Sequence, residues 1–513
     1  MAPAREAPPA KAGKVRRLSV LSRIHGNTLR LDPNQGTWVM GMLWFDSDLG
    51  FANVERLARE KLLVIPRFRS AMKLDWMGKE RWVELPVEQL DMAYHLVRVA
   101  EPLSKAQVYE RYISDIYASF KLDMDKPLWR LVWFEDIEGQ RMLLTQVSHA
   151  VGDGVSIVEV LLRMLDAEEP DSGDEAGKAS GRTAPAEPMP ALADAAAAAK
   201  PKQQQPGPKP KRKVKASFGP LNKARIFLGG CMSPLTAAFG SADSPSPLRR
   251  RNLLEPSTKK STAFTEQIDL AAVKQIKARY PGATVNDICV SLLNLTLQAY
   301  LSEVAETHPE PATRASAKRM LSGKGLMRSS FPINARKAGA ATAFRDHSPH
   351  NKLALGMLAF NFNYKSRSQL VWSFKRTMDR IKLSPEPFVQ QKLGNLLAAI
   401  LSKKAMVDLL MKLGAQTHCM LSNVQGPPEK VELLGHTVED ITFALFSGCG
   451  LYLGLLSYAG KISVCICLDS ELGDAQNIAK HWKKEFDELY KEVMAHDGAV
   501  PRHLGCSGCL DRL

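Results

Sequence analysis

Apolar residues fall into two patterned blocks separated by a stretch without pattern. In the first block, residues 37–45 (TWVMGMLWF) form a continuous apolar run, which predicts a strand buried on both faces. Residues 53–63 place Val54, Leu57, Ala58 and Leu62 at helical spacing. Residues 128–134 and 142–147 flank Ile137-Glu138-Gly139-Gln140, which predicts a β-hairpin. Residues 155–165 then read as an amphipathic helix.

The second block begins near Thr262. A strand is predicted at 264–268, then a helix at 270–280 that stops before Pro281-Gly282. Residues 285–304 carry Val285, Ile288, Leu292, Leu295 and Ala299 on one face of a long helix. Further strands are predicted at 326–333, 355–362, 440–446, 451–458 and 461–468, the last two joined by Ala459-Gly460. The Leu-rich stretch 393–413 reads as core helix that also offers apolar walls for an acyl chain. A closing amphipathic helix is expected at 477–494. The order is two α/β blocks, 18–165 and 262–495, flanked by a basic tail at 1–17 and a tail at 496–513.

Between the blocks, residues 166–261 form a low-complexity linker. Composition and charge matter most here. The chain has 513 residues, 45% hydrophobic and 24% charged, enough for two domains with real cores. Its net charge is +15, and residues 200–260 hold 14 basic and two acidic residues, so +12 sits in this one stretch. Charge concentrated in a low-complexity segment differs from the basic folded face of a nucleic-acid binder, so no nucleic-acid partner is expected. It suits an anionic membrane or droplet surface, or else a solvated linker. Inside it, residues 226–240 (IFLGGCMSPLTAAFG) are apolar and uncharged, and read as a segment lying on a membrane surface or as a loop packed on the body.

No uninterrupted run of about 18 apolar residues occurs, and residues 1–17 lack the apolar block of a secretory signal. The eight cysteines are scattered and suggest no disulfide framework. Cys506 and Cys509 with His503 supply only three clustered potential ligands, so a free tail is favoured over zinc, and no metal or other cofactor is expected. His25, His95, His347, His350 and His418 are isolated in the sequence and read as surface or satisfied core residues.

The candidate chemistry lies in Ser148-His149-Ala150-Val151-Gly152-Asp153-Gly154, at the end of the hairpin and before a helix. His149 leaves the strand where its ring can face a cleft and act as a general base near neutral pH. Asp153 can fix the loop or pair with an arginine, and Gly152 and Gly154 suit the backbone angles of a tight turn. Spacing alone is equally compatible with a loop histidine capped by Asp153 and without a catalytic role.

This stretch resembles the HHxxxDG motif of the wax ester synthase/acyl-CoA:diacylglycerol acyltransferase family, within the CoA-dependent acyltransferase superfamily. Other resemblances follow in the family's order. They are Leu21-Ser22 near the start, Pro66-Arg67-Phe68-Arg69, Pro127-Leu128-Trp129, Thr284-Val285-Asn286-Asp287, Pro332-Ile333-Asn334-Ala335-Arg336, and Ser422-Asn423-Val424-Gln425-Gly426-Pro427. Two departures stand out: Ser148 replaces the first histidine of the pair, and Gln425 replaces a proline.

The resemblance implies two chloramphenicol-acetyltransferase-like α/β domains forming a pseudo-dimer around a central channel. It implies acyl-CoA as donor and a fatty alcohol or diacylglycerol as acceptor, with His149 as base. Asn286 is then an oxyanion donor or a helix cap, Asp287 caps or pairs, and Asp153 is structural and faces Arg336. Asn423 and Gly426 carry over as motif residues. The expected place of work is the cytoplasmic face of a membrane, endoplasmic reticulum or lipid droplet. The rival readings are a silent lipid-binding homologue and a condensation-type acyltransferase using a carrier-protein thioester.

Overall fold

A computed structural model describes residues 15–32, 36–120, 122–165, 219–239, 242–249, 257, 259–334, 344–345, 348–349, 353–414, 416–446, 450–496 and 498–501. The low-complexity part of the linker, Arg336, His347, His350, His503, Cys506 and Cys509 lie outside these residues.

Helix α1 (Val20–Leu31) opens the first half, with the Ser19 hydroxyl accepting from the Ser22 N–H at its N-terminus. This half gives its main sheet four strands: β1 (Trp38–Phe45), β2 (Leu96–Val99), β3 (Trp129–Ile137) and β4 (Gln140–Ser148). Every residue of β1 is buried, as its unbroken apolar run predicts for a strand covered on both faces. Glu138 and Gly139, with φ of 54° and 87°, make the tight turn between β3 and β4. Helix α2 (Gly154–Met164) follows β4. The helix predicted at 53–63 is two pieces, an α-helix at Phe51–Leu57 and a π-helical turn at Ala58–Leu62.

Helix α3 (Pro220–Phe239) precedes the second half. That half holds β5 (Lys260–Phe264), helix α4 (Val285–Thr307), β6 (Met327–Asn334) and β7 (Leu353–Phe360). Helices α5 (Glu386–Ile400) and α6 (Lys403–Gly414) come next, then β8 (Cys419–Gln425), β9 (Asp440–Phe446), β10 (Leu451–Tyr458), β11 (Lys461–Asp469) and helix α7 (Gln476–Met494). The strand predicted at 264–268 is divided. Thr265 accounts for the break: its N–H donates to Val464 O and its hydroxyl accepts from the Val464 N–H, so a side chain takes a place in the ladder.

A seven-stranded sheet runs β7-β6-β8-β10-β11-β5, with Ile268–Asp269 also pairing to β11. A five-stranded sheet runs β9-β1-β4-β3-β2. Strand β9 therefore comes from the second half of the chain but pairs antiparallel with β1, from Asp440↔Trp44 to Phe446↔Trp38. Leu445, Phe446, Tyr452 and Tyr458 pack into the same core as Trp38, Trp129 and Trp133. A second core surrounds α4, whose Ile288, Leu292 and Leu295 are buried beside Trp482 of α7. By length and composition α4 is long and apolar enough to cross a membrane, but most of it is buried as a core helix.

The Leu-rich stretch 393–413 departs from the core helix expected. It breaks between α5 and α6, and none of α5's residues is fully buried. Residues 226–239 are helical instead of loop, and α3 packs along α5.

Candidate active site

His149 is the first residue after β4. Ser148 pairs with Trp38, and the Ser148 N–H donates to Leu128 O at 3.0 Å. The His149 N–H donates to Thr37 O at 2.8 Å, which ties the backbone at this point to the start of β1. The Ser148 hydroxyl, fully buried, accepts from the Ala150 N–H at 3.3 Å and so shapes the turn. His149 itself is half-buried.

The far end of the loop is fixed by Asp153. Its carboxylate accepts from the Ser156 N–H at 3.0 Å and the Ser156 hydroxyl at 2.9 Å, capping α2. Gly152 and Gly154 are not in the left-handed region, so the turn does not need glycine for its backbone angles. A Cβ on Gly154 would meet nothing within 4 Å. The expected Asp153–Arg336 pairing concerns a residue outside those described.

His25 was not legible as a site residue, and the structure places it here. Its ring lies 4.6 Å from the His149 ring, centroid to centroid, at an interplanar angle of 31°. Burial, and secondarily the His149 charge, hold the His25 imidazole well below its usual pKa. Helix α1 is seated closely enough to aim it. Gly26 lies against Met72, where a Cβ would come within 2.2 Å of Sδ, and the Arg30 guanidinium donates to Met72 O.

A second group of predicted residues gathers in the C-terminal sheet. The Asn423 amide of β8 donates to Asn286 Oδ1 at 2.8 Å. The cap of α4 is Thr284, not Asn286. Its hydroxyl accepts from the Asp287 N–H, and Asp287 accepts from the Thr284 N–H at 2.7 Å, a reciprocal capping box. Asp287 is buried, and burial raises its carboxyl above the usual range. The Gly426 N–H donates to Ser457 O at 2.8 Å, and a Cβ there would sit 2.6 Å from that oxygen. Glycine is required at this position by close approach of two backbones. Gln425 ends β8 in register with Ser457.

Of the remaining isolated histidines, His95 and His418 are core residues, and His347 and His350 lie outside the described residues. His95 is fully buried, stacks on Trp129 at 4.3 Å and contacts Trp129 O through Nδ1 at 2.8 Å. His418 contacts Asp243 through Nδ1 and Ser246 Oγ through Nε2, each at 2.7 Å. Among the described residues no cluster of His, Cys, Asp and Glu has the spacing of a metal site.

The two sheets, linked by a strand from the second half and carrying a histidine at the end of β4, define a chloramphenicol-acetyltransferase-like architecture. Solved structures share it. The wax ester synthase/diacylglycerol acyltransferase from Marinobacter aquaeolei VT8 aligns at a TM-score of 0.56 and 17% identity, covering 93% of this chain and 98% of that one. The starter condensation domain of rhizomide synthetase, solved in complex with C8-CoA and Leu-SNAC, aligns at 0.53 and 12% identity over 95% and 96%. In sequence, the wax ester synthase/diacylglycerol acyltransferase catalytic domain matches residues 51–289, and the WS/DGAT C-terminal domain matches 350–490. The chain belongs to the wax ester synthase/diacylglycerol acyltransferase family. Wax ester synthase/diacylglycerol acyltransferase 11 of Arabidopsis thaliana is 24% identical over 420 residues, 79% of this chain and 81% of that relative. Wax ester synthase/diacylglycerol acyltransferase 1 of the same plant is also 24% identical, over 426 residues.

Proposed function

We propose that this chain is an O-acyltransferase that moves a fatty acyl group from acyl-CoA to a lipid alcohol, with His149 as general base. The observation that carries the reading is the placement of His149. It stands at the end of a central strand, its backbone fastened to Thr37 and its ring beside a second imidazole.

An alcohol is too weak an acid to ionise near neutral pH, so its proton must leave as the carbon–oxygen bond forms. His149 takes that proton while the oxygen attacks the thioester carbonyl. The tetrahedral intermediate collapses, the carbon–sulfur bond breaks, and the imidazolium returns the proton to the CoA thiolate. The products are an ester and free CoA, with no covalent acyl-enzyme. Asn286 is paired with Asn423 and belongs to the C-terminal sheet; its proposed part is to hold the end of β8 to the start of α4. Fatty alcohol and diacylglycerol are the two acceptor classes, giving wax ester and triacylglycerol.

Thiol release from palmitoyl-CoA, with hexadecanol or diacylglycerol as acceptor, tests the reading. Release should require an alcohol, and His149→Ala should remove nearly all of it, a loss of at least about 100-fold. Substantial activity in folded His149→Ala would overturn the assignment.

The proposed workplace is an anionic lipid surface. Helix α3 exposes Leu221, Phe227, Leu228 and Met232 together with Lys223 and Arg225, and it contains no acidic residue. Helix α5, packed along it, exposes Phe388, Leu396 and Ile400. Apolar side chains interspersed with cations suit insertion among anionic headgroups.

A further inference from the structure

We propose that His25 is the partner imidazole of His149: it reaches the reacting ring from helix α1, fixes its orientation, and limits the pair to one proton. The inference rests on the acyl-transfer reading. It addresses the place where the resembled motif carries two adjacent histidines and this chain has only one.

Ser148 does not fill that place. Its hydroxyl is spent on the Ala150 N–H, and its buried side chain belongs to the interior of the turn. The imidazole that touches His149 comes instead from 124 positions earlier in the chain. Its ring separation of 4.6 Å and tilt of 31° are those of a packed aromatic pair. The contact is held from outside the pair. Ser19 caps α1, Arg30 ties the helix to Met72 O, and the bare face at Gly26 lets the helix settle onto Met72.

The chemistry follows from charge. A neutral ring against an imidazolium is attractive, because the cation meets a polarisable face and nitrogen lone pairs. Two imidazolium rings at this distance repel. His25 is therefore held neutral beside a charged His149, as coupled sites are. Other charges stand on the elements around His25: Arg23 and Arg30 on its own helix, Lys403, Lys404, Asp408 and Lys412 on α6, and Glu386 and Lys392 on α5. The charge that moves His25 is that of His149. When His149 takes the alcohol's proton, His25 stays neutral beside it and steadies the cation until CoA leaves.

The test uses the full chain with His25→Phe and His25→Ala, each checked by thermal melt, and His149→Ala alongside. His25→Phe keeps a packed ring without nitrogen. It should lower kcat about tenfold or more while KM for palmitoyl-CoA stays within about twofold. The acid limb of its kcat/KM profile should move to lower pH, because phenylalanine keeps the ring face but lacks the nitrogens that His25 sets beside the imidazolium. Wild-type kcat and an unmoved acid limb in folded His25→Phe would reduce His25 to packing and overturn the proposal. Inactive His149→Ala with unaltered His25→Phe defeats the pairing alone, whereas active His149→Ala defeats the acyl-transfer reading itself.

Discussion

Asp153 shows how much one side chain can decide. It is buried and spends its carboxylate on the first turn of α2, so its work is to fix where the loop after His149 ends. Asp153→Ala removes the cap and should cost about 0.5–2 kcal/mol, whereas Asp153→Ser should retain most of it. Urea denaturation of the two variants checks this; equal stability would show that the cap is idle. The motif was legible because its members are close in sequence, and period-2 and period-3.6 patterns bracket them. His25 was not legible, because only the packing of α1 on Met72 brings it to His149, and nothing local in the sequence encodes that contact. The glycines misled for a related reason. A tight-looking GDG string suggests left-handed backbone, yet the turn is made by Ser148 and Asp153 accepting backbone N–H groups.

Among the elements, β8 carries a constraint of a different kind. Gly426 follows its last residue, and the Ser457 carbonyl of β10 leaves no room for a methyl group. A side chain can rotate away from a clash, but this oxygen is held in a seven-residue parallel ladder. Gly426→Ala should therefore destabilise by about 1–3 kcal/mol and loosen the Asn423–Asn286 bond. An unchanged melting temperature would contradict the close approach. Elements with unbroken or clearly periodic apolar patterns, such as β1, β10 and α7, could be read from the sequence. Two of the misread ones, 264–268 and 393–413, have tertiary causes. Thr265 substitutes a hydroxyl for a ladder partner, and α5 is apolar without being interior. Asp243, His418 and Ser246 also meet only in the fold. Although ordered like a nucleophilic triad, they fasten residues 242–249 to β6 and β8. Arg328 engages the Asp243 carboxylate at 2.6 Å, and Ser246 Oγ accepts from the Leu248 N–H.

At the scale of the whole molecule, many of the exposed large apolar residues among those described fall on α3, α5 and the turn that holds Trp76. Trp76, 92% exposed, belongs to a turn whose Gly78 carbonyl accepts from Lys403 at the start of α6, so this turn stands near the α5–α6 junction. If α3, α5 and this turn meet a lipid surface, the variant Phe227→Ser/Leu228→Ser/Trp76→Ser should lose most of its sedimentation with phosphatidylserine vesicles. It should keep turnover of short, soluble alcohols. Undiminished sedimentation would remove this face from consideration. The two-sheet architecture was legible as two blocks, but the exchange of β9 was not, since a strand's pattern does not name its partner.

That exchange has a consequence for the making of the protein. Strand β1 emerges from the ribosome early, but its outer neighbour ends at Phe446, some 400 residues later. At about 5–20 residues per second, the gap is roughly 20–80 s of synthesis. Throughout that interval β1 carries an open row of N–H and C=O groups along a wholly apolar strand, the kind of edge on which another chain can pair. The nascent chain thus has to keep its first sheet from finding the wrong ninth strand before its own arrives.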